Sequence, residues 1–143
     1  MPFFFSLFFP SFFIISSVAV SLITLFLLPI FFNELYPFIW LAPFFLLAAS
    51  LHYFGVANYL DRLSAGDWSG AVAWAMSALF CGFFWEMWNF WSFARWVYHV
   101  PFVDTFRIFE MPVLGFAGYL PFGLVCGLVV EALFPDGKFI ISS

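Results

Sequence analysis

The sequence predicts an all-α, polytopic membrane protein, a bundle of about four transmembrane helices. The chain is 66% hydrophobic and 8% charged, which leaves too little polar surface to wet a soluble domain. Its apolar residues form runs of roughly 20, the length that crosses a bilayer core. These runs lack the alternation of apolar and polar residues found in membrane strands, so helices are the predicted way to satisfy their backbone groups in lipid.

A single membrane domain is predicted for residues 1–143, with spans at about 11–32, 36–57, 70–93 and 112–134. The first span follows no positively charged region and exceeds the ~7–15 apolar residues of a signal peptide, so we expect it to be retained. Four spans would place both termini on one side of the membrane. The lysine and arginine residues divide equally between the two sides, so the orientation stays open.

The connections between the spans differ in character. The turn at 33–37 is short, whereas 58–70 carries three charged residues and is predicted to be a hydrated loop. Asp67 directly precedes the apolar run that begins at Trp68, which is the position of a helix cap. The segment 94–111 mixes arginines and acids with aromatic residues, a composition typical of an interfacial or re-entrant segment.

Small and polar residues form one stripe on the third span. Steps of three or four residues place them on the same helix face: Ala75, Ala78, Gly82, Glu86 and Asn89. We expect this face to meet another helix, because small residues allow close approach and Glu86 and Asn89 can share hydrogen bonds across the contact. Glu86 has two interpretations, a packing residue near the helix end or a functional acid inside the membrane.

Proline and glycine residues interrupt the fourth span. Glu110 lies just before Pro112, which suits the first turn of a helix, and the acid suits the positive helix end. Pro121 predicts a kink near mid-membrane, because it removes a backbone donor. The neighbouring glycines thin the helix on several sides: Gly115, Gly118, Gly123 and Gly127. Such a kink serves helix packing more often than it opens a ligand cavity.

Five charged residues are close in sequence on one side of the predicted bundle: Glu86, Arg95, Asp104, Arg107 and Glu110. Two cations can balance three anions there, and an unpaired charge at depth would cost several kcal/mol. One interpretation is a structural salt-bridge network. The other is a polar floor beneath an aromatic chamber, in which one carboxyl group is kept protonated by desolvation and acts as an acid.

Composition also argues against several kinds of site. Only four residues are Lys or Arg, so the chain offers no basic surface for nucleic acid. The two cysteines and two histidines lie far apart in sequence and lack the spacing of metal ligands. We therefore expect no metal site, no cofactor and no nucleic-acid partner.

The region 66–122 contains three distinctive motifs: CGFFWEMWN at 81–89, RWVY at 95–98 and IFEMPVLGFAGYLPF at 108–122. In these motifs it resembles a family of uncharacterised bacterial polytopic membrane proteins. The matching positions are Glu86, Trp88, Asn89, Trp96, Tyr98, Pro101, Glu110, Met111, Pro112 and Gly115. The resemblance implies a multi-pass location in a bacterial inner membrane and assigns no activity.

A looser pattern is similar to membrane carotenoid enzymes of the lycopene cyclase and carotenoid hydratase type. The shared order is an acid in a helix, then W-x-Y, then E-x-P at the start of the next helix. This similarity implies an isoprenoid or carotenoid-like ligand, an acid that protonates a polyene, and aromatic rings that stabilise the cation. The paired acids of the cyclases are absent, since Met111 follows Glu110 and Val113 follows Pro112.

Two main functions remain open from the sequence, and a transporter ranks third because four helices without a repeat are few for a transport pathway unless the protein oligomerises. The first is a membrane enzyme that acts on an isoprenoid or lipid substrate, with Glu86 and Glu110 as acid and base. Its substrate-binding residues would be Trp85, Trp88, Asn89, Arg95, Trp96, Tyr98 and Arg107. The second is a non-enzymatic subunit or homo-oligomer, in which the same aromatic residues pack against membrane lipids, pigment or partner helices. The concentration of polarity in 82–112 favours the first, and the lack of a complete catalytic constellation favours the second.

Overall fold

The computed structural model describes residues 11–63, 65–99 and 105–134, with side chains from residue 14 onward. The described chain is mostly helical, which agrees with the predicted all-α class. Its elements are α1 (Ser11–Leu27), α2 (Phe32–Leu35), α3 (Phe38–Phe54), α4 (Tyr59–Leu63), α5 (Ser69–Trp91), β1 (Arg107–Ile108), β2 (Met111–Pro112), a 3-10 helix (Val113–Gly118) and α6 (Tyr119–Leu133).

Two helical segments of the described chain are long and apolar enough to cross a membrane. They are Ser69–Trp91 and the continuous segment Val113–Leu133, of 23 and 21 residues. α1 and α3 are also apolar but have 17 residues each. At 1.5 Å per residue, such a helix is about 25 Å long, shorter than the ~30 Å bilayer core. Length and composition therefore support two spans directly, where the sequence predicted four.

Local sequence explains where two of these helices end and begin. α3 ends at Gly55, whose φ of 67° lies in the left-handed region that glycine enters without strain. The Oδ1 atom of Asp67 accepts hydrogen bonds from the backbone N–H and the hydroxyl of Ser69, at 3.0 and 2.5 Å. Asp67 thus accepts the first N–H of α5, although the N-cap residue itself is Trp68, one position later than predicted. These bonds lower the pKa of Asp67 below its usual value.

At Pro121, where the sequence predicted a kink inside a helix, the structure has the start of an α-helix. The 3-10 helix ends at Gly118 and α6 begins at Tyr119, so Pro121 is in the first turn of α6. Proline is well accommodated in a first helical turn, where backbone N–H groups lack regular α-helical partners. The switch brings Tyr119 to the head of α6.

The main helix contacts pair α1 with α3, α3 with α6, and α6 with α5. Glycines bring α5 and α6 close together, and Gly82 faces the ring of Tyr119, which a Cβ atom would approach to 2.7 Å. Gly123 faces the backbone carbonyl of Trp74, and Gly127 faces the indole ring of the same residue. The prediction that the Gly82 face meets another helix is confirmed.

The buried core is small and much apolar surface is exposed. A cluster of Leu51, Tyr59, Ala71 and Leu128 fills the end of the bundle near α4. Large apolar side chains remain exposed on the long helices, including Phe26 at 77%, Phe80 at 67% and Leu133 at 68%. Soluble monomers rarely expose so much contiguous apolar surface, which supports association with a membrane.

Candidate functional site

Glu86 is the centre of a polar cluster between α5 and α6. Its side chain is fully buried, at 0% exposure, although it is about 8 Å from the end of α5 at the rise of a helix. The Oε1 atom accepts a hydrogen bond from the hydroxyl of Tyr119 at 2.6 Å and another from Tyr98 at 2.8 Å. These bonds join the carboxyl group to the start of α6 and to the chain that follows α5.

Asn89 holds that following chain in place. Its Nδ2 atom donates to the backbone carbonyl of Trp96 at 2.8 Å, and its Oδ1 atom accepts from the backbone N–H of Trp96 at 2.9 Å. The indole N–H of Trp96 donates to the Tyr98 hydroxyl at 2.5 Å. The segment 92–99 therefore turns back along α5. Whether 94–111 is interfacial or re-entrant stays a prediction. We call Glu86, Asn89, Trp96, Tyr98 and Tyr119 the Glu86 cluster.

The two carboxyl oxygens of Glu86 have different environments. Oε2 is buried and has no hydrogen-bond partner, and it is the one such side-chain atom among the residues that the structure describes. An unsatisfied buried acceptor costs roughly 1–3 kcal/mol. No arginine in the described ranges forms an ion pair with Glu86. Oε2 is thus the atom left to a proton, a water molecule or a ligand.

Tyr98 supplies its hydroxyl as a donor at neutral pH. Burial raises the pKa of Tyr98 to about 12, with a further contribution in the same direction from Glu86. The hydrogen bond from Trp96 opposes part of this rise in pKa. The hydroxyl therefore stays protonated and can bond the Glu86 carboxyl group.

The two arginines of this region, Arg95 and Arg107, bond to groups of the segment after α5 and not to Glu86. Arg95 Nη1 lies 3.4 Å from Glu110 Oε1, and its guanidinium group is 5.8 Å from the ring centre of Phe90. Arg107 donates to the backbone carbonyls of Tyr98 and Glu110, at 2.8 and 3.0 Å. Of the predicted salt-bridge network, the described residues show one ion pair, Arg95 with Glu110, and Glu86 bonds to tyrosine hydroxyls instead. Asp104, its fifth member, lies outside the described residues.

The tryptophans beside Glu86 in sequence do not cover it. Trp85 and Trp88 are 54% and 63% exposed. Trp85 contacts the ring of Trp96 at 6.0 Å, and Trp88 contacts Phe84 at 6.4 Å. Both rings lie on the outer surface of α5, and the tyrosine hydroxyls approach Glu86 instead. A role of these tryptophans in ligand binding stays a prediction, now for a ligand on the outside of the bundle.

Sequence reasoning missed two residues, of which Tyr119 is the first. It belongs to the motif GYLPF, but its partner Glu86 lies 33 residues earlier. The second is Glu131, whose Oε2 accepts from the backbone N–H of Tyr59 at 2.5 Å. Its Oε1 is 3.3 Å from Arg62 Nη2 and 3.5 Å from Trp74 Nε1. The sequence did contain a signal for Glu131, because it is an acidic residue inside an apolar run.

A large cavity lies beside α1 and α3, apart from the Glu86 cluster. Its volume is about 800 Å³. The α1 wall includes the hydroxyl residues Ser17, Ser21 and Thr24, while Ala42 and Ala49 leave space on the α3 wall. A cavity of this size is within the ~300–1,000 Å³ range of small-molecule sites.

The described residues contain no group of three or more His, Cys, Asp or Glu side chains that could hold a metal ion. Comparisons with protein-family models, curated proteins and solved structures found no match to the chain.

Proposed function

We propose that the protein is a multi-pass integral membrane protein of four spans that packs against lipid or isoprenoid molecules without transforming them. The observation that carries the proposal is the exposed apolar surface, which extends over α1 and α3 as well as α5 and α6. Ile23 is 58% exposed and Phe45 is 43% exposed, so the two shorter helices present the same kind of surface as the longer pair. A locally thinned bilayer can accommodate helices that are shorter than the usual bilayer core.

In this proposal the Glu86 cluster has a structural role. A fully enclosed carboxyl group cannot meet a substrate while Tyr98 and Tyr119 occupy its accessible side. The cluster instead fixes the segment 92–99 against the α5–α6 pair. It leaves the aromatic faces of Trp85 and Trp88 directed at lipid, an isoprenoid pigment or partner helices.

Acid chemistry at Glu86 is the second candidate, and the bare Oε2 atom is the observation that favours it. Displacement of Tyr98 would open Glu86 to an isoprenoid double bond. The carboxyl group would then give a proton to one alkene carbon, and Glu110 would take a proton from the resulting cation. This route matches what the resemblance to carotenoid enzymes implies.

Labelling of single cysteines tests the four-span topology. In a Cys81→Ala, Cys126→Ala background, we expect cysteines at Asn33 and Ser92 to react with an impermeant maleimide from one side of the membrane. A cysteine at Ala57 should react from the other side. If cysteines at Asn33 and Ala57 react from the same side, α3 does not span, and the four-span proposal is wrong.

Copurified molecules distinguish the subunit from the enzyme. Mass spectrometry of extracts from the wild-type protein and from Glu86→Gln should find the same lipid or isoprenoid in both, because glutamine keeps the acceptor but removes the acid. A substrate that accumulates with Glu86→Gln, beside a product found with the wild type, would instead establish the enzyme.

A further inference from the structure

The chain that follows α5 lies beside that helix, below the level at which the helix ends. Asn89 is two residues before the end of α5 and bonds both backbone groups of Trp96. Glu86 is five residues before the end and accepts a hydrogen bond from Tyr98. At 1.5 Å per residue, the segment 92–99 therefore reaches levels about 3 and 8 Å below the end of α5.

A hairpin packs along the same part of α5. β1 and β2 pair antiparallel, and Phe109 is in the turn between them. Its ring centre is 5.4 Å from that of Phe83 and 5.7 Å from that of Phe90, which lie eight residues and one residue before the end of α5. Phe109 has a φ of 57°, a left-handed conformation that is unfavourable for a residue with a Cβ atom. Packing of its ring on α5 offsets this cost and holds the tip of the hairpin below the helix end.

The non-helical backbone of these two segments has polar partners inside the protein. Arg107 is an exposed residue, but its guanidinium group donates to the backbone carbonyls of Tyr98 and Glu110. The carbonyl of Phe106 accepts a hydrogen bond from the backbone N–H of Val113 at 2.8 Å. Irregular backbone at membrane depth needs such partners, because lipid supplies none.

Large apolar side chains of the two segments point outward. Val97 is 50% exposed, Phe106 89% and Ile108 42%. The acid of the hairpin, Glu110, has a side chain that is only 15% exposed and lies against Arg95. The Arg95 side chain is half-exposed, and a chain of its length can reach from the edge of the hydrocarbon to the head groups. A loop in water more often covers its large apolar residues and exposes its acids.

We propose that the segments 92–99 and 106–112 form a re-entrant region that dips into one leaflet, where Val97, Phe106 and Ile108 pack against phospholipid acyl chains. α5 is about 34 Å long, so if it is centred on a ~30 Å hydrocarbon core, a level 8 Å below its end lies about 5 Å inside that core. This assignment rests on the proposed function in a membrane and names the surface that contacts lipid. It requires α5 to span, but it does not depend on α1 or α3.

Nitroxide labels on the re-entrant region measure its depth. In the full chain with Cys81→Ala and Cys126→Ala, the variants Val97→Cys and Ile108→Cys are labelled in phosphatidylcholine vesicles. Electron paramagnetic resonance compares collisions with oxygen, which enters the hydrocarbon, and collisions with a water-soluble nickel chelate. We expect the ratio of oxygen to nickel collisions to be several-fold higher at both positions than at Ser92→Cys. Ser92 is the matched control, because it is exposed in the same segment at the end of α5.

Two other results would each overturn the re-entrant assignment. Ratios at Val97→Cys and Ile108→Cys equal to that at Ser92→Cys would place both segments in water. Few collisions with either reagent would show that protein, such as a second copy of the chain, covers this face. The two labels are on separate segments and replace exposed side chains, so either one decides the question if the other variant does not fold.

Failure of this assignment can be told from failure of the four-span topology. If both labels lie in water while cysteines at Asn33 and Ala57 react from opposite sides, the re-entrant region is wrong and the topology stands. If the labels lie in hydrocarbon while Asn33 and Ala57 react from the same side, the re-entrant region stands and the four-span proposal is wrong.

Discussion

The two ends of the α5–α6 pair each contain a carboxyl group, and the two groups are stabilised differently. Glu131, at the end beside α4, has a side chain that is 23% exposed and is 3.3 Å from the guanidinium group of Arg62. Glu86, at the other end, is fully buried and bonded by two tyrosine hydroxyls. A partly wet carboxylate can keep a cation beside it, whereas an enclosed carboxyl group depends on neutral donors built into the fold.

The α5–α6 pair is joined to neighbouring segments at both ends although the chain has few charges. Both clusters connect a helix of the pair to a segment outside it, α4 at one end and 92–99 at the other. Between them the helices touch through glycines, which supply no polar interaction. The middle of the pair should therefore respond to volume, and the two ends should respond to loss of hydrogen bonds.

Separation of the helices would disrupt both ends at once, so Gly123→Val should have the largest effect. Its side chain would overlap the backbone carbonyl of Trp74, which cannot rotate away. We expect about 3 kcal/mol of destabilisation, at the upper end of overpacking effects. Thermal unfolding in detergent, followed by circular dichroism, measures it.

Gly118→Ala is the control for this substitution. An added Cβ there lies 3.8 Å from the indole nitrogen of Trp40, which is an ordinary contact. If Gly118→Ala and Gly123→Val unfold at the same temperature, close packing of α5 on α6 does not control stability.

Glu86→Ala should have the next largest effect. It leaves the hydroxyls of Tyr98 and Tyr119 without their acceptor in a buried site, a loss of roughly 2–3 kcal/mol. Glu86→Gln keeps an acceptor oxygen and should retain most of the stability. Limited proteolysis measures the local effect. We expect cleavage within 92–99 to increase in Glu86→Ala but not in Glu86→Gln. Equal cleavage of both variants would contradict the structural role proposed for the Glu86 cluster.

Glu131→Gln should have the smallest effect. The amide oxygen can still accept the Tyr59 N–H, so the losses are the ion pair with the half-exposed Arg62 and the long 3.5 Å hydrogen bond from Trp74 Nε1. Screened pairs of this kind contribute about 0–1 kcal/mol. The melting temperature of the wild type should approach that of Glu131→Gln as salt is added. A larger loss than that of Glu86→Ala would reverse the proposed order of the two ends.

Several features of the candidate site follow from local sequence. The spacing of Gly82, Glu86 and Asn89 was enough to predict the inward stripe, because helix periodicity fixes which residues share a face. The structure confirms that Glu86 is buried and that it bonds to the segment following α5. Asp67 likewise could be assigned as a cap, since capping depends on residues one or two positions away.

What hydropathy could establish about the membrane is more limited. Long apolar runs predicted four spans, but among the described residues the helices in the first two runs cover Ser11–Leu27 and Phe38–Phe54, 17 residues each. Pro37 and Gly55 set the bounds of the second of these helices, because turn and cap geometry can end a helix inside an apolar run. Composition thus indicates the environment of a segment more reliably than it gives the length of the helix.

By itself the sequence determined the helical class, the apolar character and the inward face of α5, because each depends on residues a few positions apart. Only the tertiary structure decided that Tyr119 and Glu131 join the polar clusters, that Trp85 and Trp88 face outward, and that a cavity lies beside α1 and α3. Those features depend on the register between helices far apart in the chain. Register is set by the fit of glycines against large side chains, which no local pattern specifies.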